Sequence, residues 1–177
     1  MKNITDIVPE TKQEEQNEFM YKMFDLQRKF GDFCFQKQDI TDNEGNVLSF
    51  DKIFKEYQEQ KFGANDLPNV WLKKFMECIE KESEEIEELL PWKHWSSATM
   101  GEEIHPDLTP QERVNMVKIE LIDIWHFLMS AFMCLGMGPK EVYELYMSKN
   151  KVNIERQQNN YNTAHKTEED NLNIARS

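Results

Sequence analysis

An all-α fold is what this sequence predicts, and three observations carry the prediction. Gly and Pro are scarce, six of each in 177 residues, and residues with good helix propensity dominate. Apolar residues recur at three- and four-residue spacings along most of the chain. Helix start and stop signals bracket those stretches.

Each helix can be justified in turn. The first runs from about 13 to 36, where Phe19, Met23, Leu26, Phe30 and Phe33 share a helical repeat. The stretch DITDNEGNVLSFD carries turn chemistry and leaves room for a short excursion. A helix near 51–60 follows, then a GANDLPN turn and a long helix over about 69–90, with Pro91 at its end. Thr109-Pro110 reads as an N-cap followed by Pro at the first helical position, so another helix starts there and runs to about 135. Gly136 and Gly138 stop it, and Pro139 opens a helix reaching about 160. The expected organisation is one domain over 1–161 and a polar, flexible tail over 162–177.

Composition bounds the function. The formal charge is −12, which argues against a nucleic-acid partner because phosphate neutralisation needs a basic face. A single nucleotide remains accessible if divalent metal bridges the like charges. The apolar segment around 124–137 is broken by His126 and Ser130 and is too short to span a bilayer, so no membrane partner is expected. The N-terminal stretch lacks the apolar core of a signal peptide. Cys34, Cys78 and Cys134 are odd in number, widely spaced and form no CxxC, which points to a reducing cytoplasm.

The stretch KIELIDIWHF, residues 118–127, raises the central chemical question, because a segment this apolar carries Glu120 and Asp123 one turn apart. The acidic run EKESEEIEELL, residues 80–90, hides a similar pair. At about 100° per residue, Phe75, Cys78, Ile79, Ile86 and Leu89 fall on one arc, with Glu82 inside it and Glu85 at its edge. Glu80, Glu84, Glu87 and Glu88 point elsewhere, as a solvated face does. Buried carboxylates need cations, protons or metal ions. Divalent metal accounts best for two same-turn pairs, and oxygen-only ligands suit magnesium or manganese; a salt-bridge network is the plainer alternative.

Two further stretches add polar chemistry. On the helix after Pro139, Lys149, Asn153, Arg156 and Asn160 align below Val142 and Leu145. Such a face can take phosphate oxygens, or it can be an exposed helix end with favourable cations. In PWKHW, residues 91–95, Trp92 and Trp95 flank Lys93 and His94 just past the first carboxylate pair. They can cap the core or wall a base pocket.

Taken as an ordered set, ExxE, PWKHW, ExxD followed by HF, and KNKVNIERQQNNY resemble the all-α dimeric dUTPases, within the all-α NTP pyrophosphatases that include MazG-like enzymes. The stretch LGMGPKEVYELYMSKNKVNIERQQNNY, with ELIDIWHF before it, is also similar to the dCTPase-dUTPases of T-even phages. The resemblance covers roughly residues 70–161, with a weaker echo at FDLQRKF. It implies a helical bundle active as a homodimer in the cytoplasm, that of a host cell if the chain is viral. It implies two or three Mg2+ ions per site, with Mn2+ as a substitute, on Glu82, Glu85, Glu120 and Asp123. Glu85 would also orient or deprotonate a water that attacks the α-phosphorus of a deoxynucleoside triphosphate, giving monophosphate and pyrophosphate. Lys93, Lys149, Asn153, Arg156 and Tyr161 would hold phosphates and sugar, while Gln27, Trp95 and Phe127 would approach the base. The expected substrate is dUTP, with dUDP and dCTP as further candidates.

Two departures from the family pattern stand out. LQRKFGD has Phe30 and Gly31 where the family often has an Asn used for the pyrimidine, and Glu85 and Glu120 are far apart in sequence, with the extra length in 96–109. Two other readings compete. Asp123 and His126, three residues apart, faintly resemble the Glu-x-x-His ligands of di-iron bundles. A non-catalytic helical interaction protein is the alternative from another class.

Overall fold

The computed structural model describes residues 13–90, 107–158 and 169–176. Among them the chain forms six helices: α1 (Gln13–Lys37), α2 (Phe50–Gln58), α3 (Leu67–Leu89), α4 (Pro110–Cys134), α5 (Pro139–Gln158) and α6 (Glu169–Arg176). No strand occurs among the described residues; the excursion after α1 is an isolated antiparallel bridge between Thr41 and Val47. No single described helix is long and apolar enough to cross a membrane. The all-α expectation holds.

The helices divide into two compact units, one of residues 24–136 and one formed by the chain before and after it. In the larger unit the core gathers Phe35, Leu48, Phe50, Ile53, Leu67, Trp71 and Cys134. Aromatic rings knit it together, with Phe35 edge-on to Trp71 at 4.7 Å and Phe50 stacked on Phe75 at 6.1 Å. Gly31 has a packing reason. A Cβ there would lie 2.4 Å from the Phe50 ring, so the residue that departs from the family pattern is the one that lets α2 close on α1.

α3 and α4 are the most extensively paired helices, and they run antiparallel, since Phe75 meets Phe127 at 6.4 Å while Glu82 meets Glu120. The start of α4 is a capping box. The Thr109 hydroxyl accepts from the Glu112 amide and the Glu112 carboxylate accepts from the Thr109 amide. Its end is set by Gly136, at φ +68°, where a Cβ would also press on the Phe54 and Tyr57 rings at 2.8 Å. These two stops fix which residues of α4 face α3.

The first helix forms over the expected span, and the structure shows which of its faces is buried. The α1 stripe of Phe19, Met23, Leu26, Phe30 and Phe33 is exposed. The neighbouring stripe, with Phe24, Gln27 and Phe35, is the buried one. α1 has two adjacent apolar arcs, and the core takes the arc that admits Gly31. In the smaller unit, α6 packs on α5, with Lys149 donating to the Asn171 side chain.

Candidate metal and nucleotide site

Three of the four predicted carboxylates converge. Oxygens of Glu82, Glu120 and Asp123 lie within 4.8 Å of one another, and all three side chains are half-buried. The local reasons are simple. Glu82 lies one turn after Cys78 and Ile79 on the half-buried arc of α3. Glu120 and Asp123 lie on the arc of α4 that continues through Phe127 and Ser130, and the antiparallel pairing turns these arcs toward each other.

The electrostatics are those of like charges held together. The Glu82 carboxyl is raised above its ordinary value of 4.5, first by burial and then by the negative charges of Glu85, Asp123 and Glu120, with a hydrogen bond to Glu120 adding to the shift. Among the described residues no Lys or Arg pairs with any of the three. The nearest basic group is His126, whose Nδ1 is 3.5 Å from Asp123 Oδ1. This donor set fits a hard divalent cation: oxygen ligands only, a spacing close to the roughly 4–5 Å spanned by ligands across one ion, and negative charge that no described Lys or Arg compensates. Among the described residues it has no second acid–His pair of the kind a di-iron bundle requires.

The other predicted residues divide into three groups. Glu85 is exposed, one turn from Glu82 and outside the trio, though its charge is the strongest felt by Glu82. Phe127 and Gln27 stand on the α4 side of the same unit, Phe127 half-buried against Phe75 and Gln27 buried against Ser130. Lys149, Asn153 and Arg156 lie on α5, in the smaller unit; Lys149 and Arg156 are half-buried and Asn153 is exposed. Lys93, Trp95 and Tyr161 lie outside the described residues, as does Asn160. The Asp123–His126 pair was visible in the sequence as an i, i+3 spacing. The Gln27–Ser130 contact escaped it, because Ser130 stood out only as a polar interruption of an apolar run.

The chain is similar to phage dCTP pyrophosphatases. It is 32% identical over 105 residues to the dCTP pyrophosphatase of Enterobacteria phage T4, covering 51% of this chain and 61% of the relative. It is 41% identical over 71 residues to the dCTP pyrophosphatase of Enterobacteria phage LZ5, 40% of each chain. A T4 DNA replication protein is 30% identical over 95 residues, 46% of this chain and 24% of the relative. The chain thus spans less than two thirds of the length of these relatives. No family model matches, and no solved structure does.

Proposed function

We propose that this chain is a divalent-metal-dependent pyrophosphatase of pyrimidine deoxynucleoside triphosphates, cleaving between the α- and β-phosphates to release monophosphate and pyrophosphate. The observation that carries the reading is the trio of carboxylates on facing helices, which no described Lys or Arg pairs, in a chain similar to two dCTP pyrophosphatases. The relatives favour dCTP; the sequence resemblance favours dUTP or dUDP and supplies the second substrate to assay.

In this reading Glu82, Glu120 and Asp123 hold magnesium, or manganese in its place. When bound, such an ion neutralises phosphate charge and acidifies water. His126 steadies Asp123 by sharing its carboxylate. Glu85, exposed one turn along α3, orients the attacking water and takes its proton on a carboxylate oxygen. Phe127 offers a face to the base. Lys93, Trp95, Lys149, Asn153, Arg156 and Tyr161 remain proposed contacts to phosphate, sugar and base.

A homodimer completes the proposal. The face of α4 opposite the carboxylates is apolar and open, with Leu121 52% and Ile122 54% exposed, and α1 leaves Leu26, Phe30 and Phe33 exposed. Surfaces of this kind are costly to leave in water. The three free cysteines suit a reducing cytoplasm.

The test is pyrophosphate release from dCTP, dUTP, dTTP and dATP with Mg2+, with an EDTA control and sedimentation of the same sample. Metal-dependent release from a pyrimidine substrate by a dimer is expected. No release from any of the four would favour a non-catalytic interaction protein.

A further inference from the structure

α5 carries a cationic face that the chain itself engages. Lys149 and Arg156 are seven residues apart, two turns along one face of α5, and both are half-buried. α6 packs on α5 within the same compact unit. Its contact with this face is explicit at Lys149, whose Nζ donates to the Asn171 side-chain oxygen. Along residues 171–176 the half-buried side chains are Asn171 and Ile174, three apart on one side of α6, while Leu172, Asn173, Ala175 and Arg176 are exposed.

Two features make this docking replaceable. α6 has eight residues, short of the roughly 12–15 at which an isolated helix is even marginal in water. With Leu172 46% exposed, its apolar hold is small, so the helix depends on its contact with α5. The acceptor at Lys149 is also a neutral carboxamide. Among the described residues no carboxylate pairs with Lys149, and an anionic oxygen makes the stronger bond to an ammonium. An ammonium has three donors. A polyphosphate group reaching both Lys149 and Arg156, roughly 10 Å apart along the axis, must nevertheless lie along the face to which Asn171 is bonded.

We infer, on the reading that gives Lys149 to phosphate, that α6 is an autoinhibitory strap. Docked, it holds through Asn171 the ammonium that phosphate would take. A polyphosphate group displaces it, and α6 leaves α5 as the anion binds. Residues 159–168 join the two helices, so a released α6 stays tethered. A tethered competitor acts at an effective concentration on the order of millimolar, enough for a weak contact to set the apparent affinity of the site.

The experiment uses the full chain, with inorganic triphosphate and Mg2+ as the probe. Binding is read by calorimetric Kd and by hydrogen exchange of the α6 amides, alongside kcat and KM for dCTP. Triphosphate should speed exchange across 171–176 in wild type. Ile174→Ser, which weakens the docking without altering the Asn171 amide, should tighten the triphosphate Kd several-fold and lower KM with kcat unchanged. Asn171→Asp, which turns the neutral contact into an ion pair, should act in the opposite direction and weaken binding about tenfold. In a Lys149→Met background Asn171→Asp should have no further effect, because the two residues act through one contact. Circular dichroism reports whether each variant is folded. Slower α6 exchange on binding, weaker triphosphate binding by folded Ile174→Ser, a Kd moved by neither variant, or no triphosphate binding by any variant would overturn the strap. If triphosphate binds with the expected pattern and no nucleotide is cleaved, the pyrophosphatase reading fails and the strap stands. If dCTP is cleaved and neither variant moves KM or Kd, the strap fails alone.

Discussion

Two acidic regions of the molecule treat a carboxylate in opposite ways. At the turn after α1, Asp42 accepts from Lys52 Nζ at 2.7 Å, and from the amides of Asn46 at 2.9 Å and Glu44 at 3.0 Å. These donors hold its carboxyl down at about 2. On α3 and α4, Glu82 faces Glu85, Asp123 and Glu120, and its carboxyl is raised. The first region is closed: Asp42 has its partners within the chain, and the turn is the product. The second is open, because folding has concentrated charge that no described Lys or Arg neutralises. A fold tolerates such a cost where something from outside completes the site.

The largest expected effect comes from breaking the open region. Glu120→Gln, Asp123→Asn and Glu85→Gln should each lower metal-dependent pyrophosphate release by about a hundredfold or more, the size of losing a group that stabilises developing charge. Calorimetric titration with Mn2+ should separate them: the first two weaken binding strongly, and Glu85→Gln weakens it less than it lowers turnover. Full activity in a folded Glu85→Gln protein would remove it from the proposed chemistry.

Metal binding itself should sharpen the contrast. Saturation at about 100-fold over Kd stabilises a folded protein by about 2.7 kcal/mol, which for a chain of this length corresponds to a Tm rise of roughly 5–10 °C. Mn2+ should produce that rise in wild type, EDTA should reverse it, and Asp123→Asn should abolish most of it. A substitution in the closed region, Asp42→Asn, should leave the metal-induced rise intact.

How much of this was legible without coordinates differs by helix, for a physical reason. α3 and α4 could be read closely, because a core face interrupted by acids is unusual and the wheel separates Glu82 from Glu84, Glu87 and Glu88. The Thr109–Pro110 start of α4 was equally plain, since a capping box is a local interaction. α1 was legible as a helix but its buried arc was not, because periodicity tells which residues share a face but not what covers it; Phe30 and Phe33 are as periodic as Phe24 and Phe35, and only Phe50 over Gly31 decides between the arcs. α6 is short and polar, with little apolar signal to mark it. The Gln27–Ser130 pair joins residues distant in sequence, so neither stretch announces the other.

The smallest effect is the most discriminating, because the two regions should respond to pH with opposite signs. Glu82 has a raised value in the folded, metal-free protein. The stability it contributes is therefore fully present below the unfolded value and is lost as pH rises through the folded one. Asp42 has a depressed value of about 2, so its contribution is present above the ordinary 3.8 and is lost as pH falls toward 2. Thermal unfolding of metal-free protein across the acid range should therefore show two separable limbs. Glu82→Gln should flatten the decline on the higher-pH side and leave the acid limb in place. Asp42→Asn keeps the turn's backbone acceptor but loses the ion pair with Lys52, so it should lower Tm slightly at neutral pH, flatten the acid limb and leave pyrophosphate release unaltered. If Glu82→Gln instead changed only the acid limb, Glu82 would be behaving like Asp42, as a carboxylate satisfied within the fold, and the open region would have to be redrawn without it.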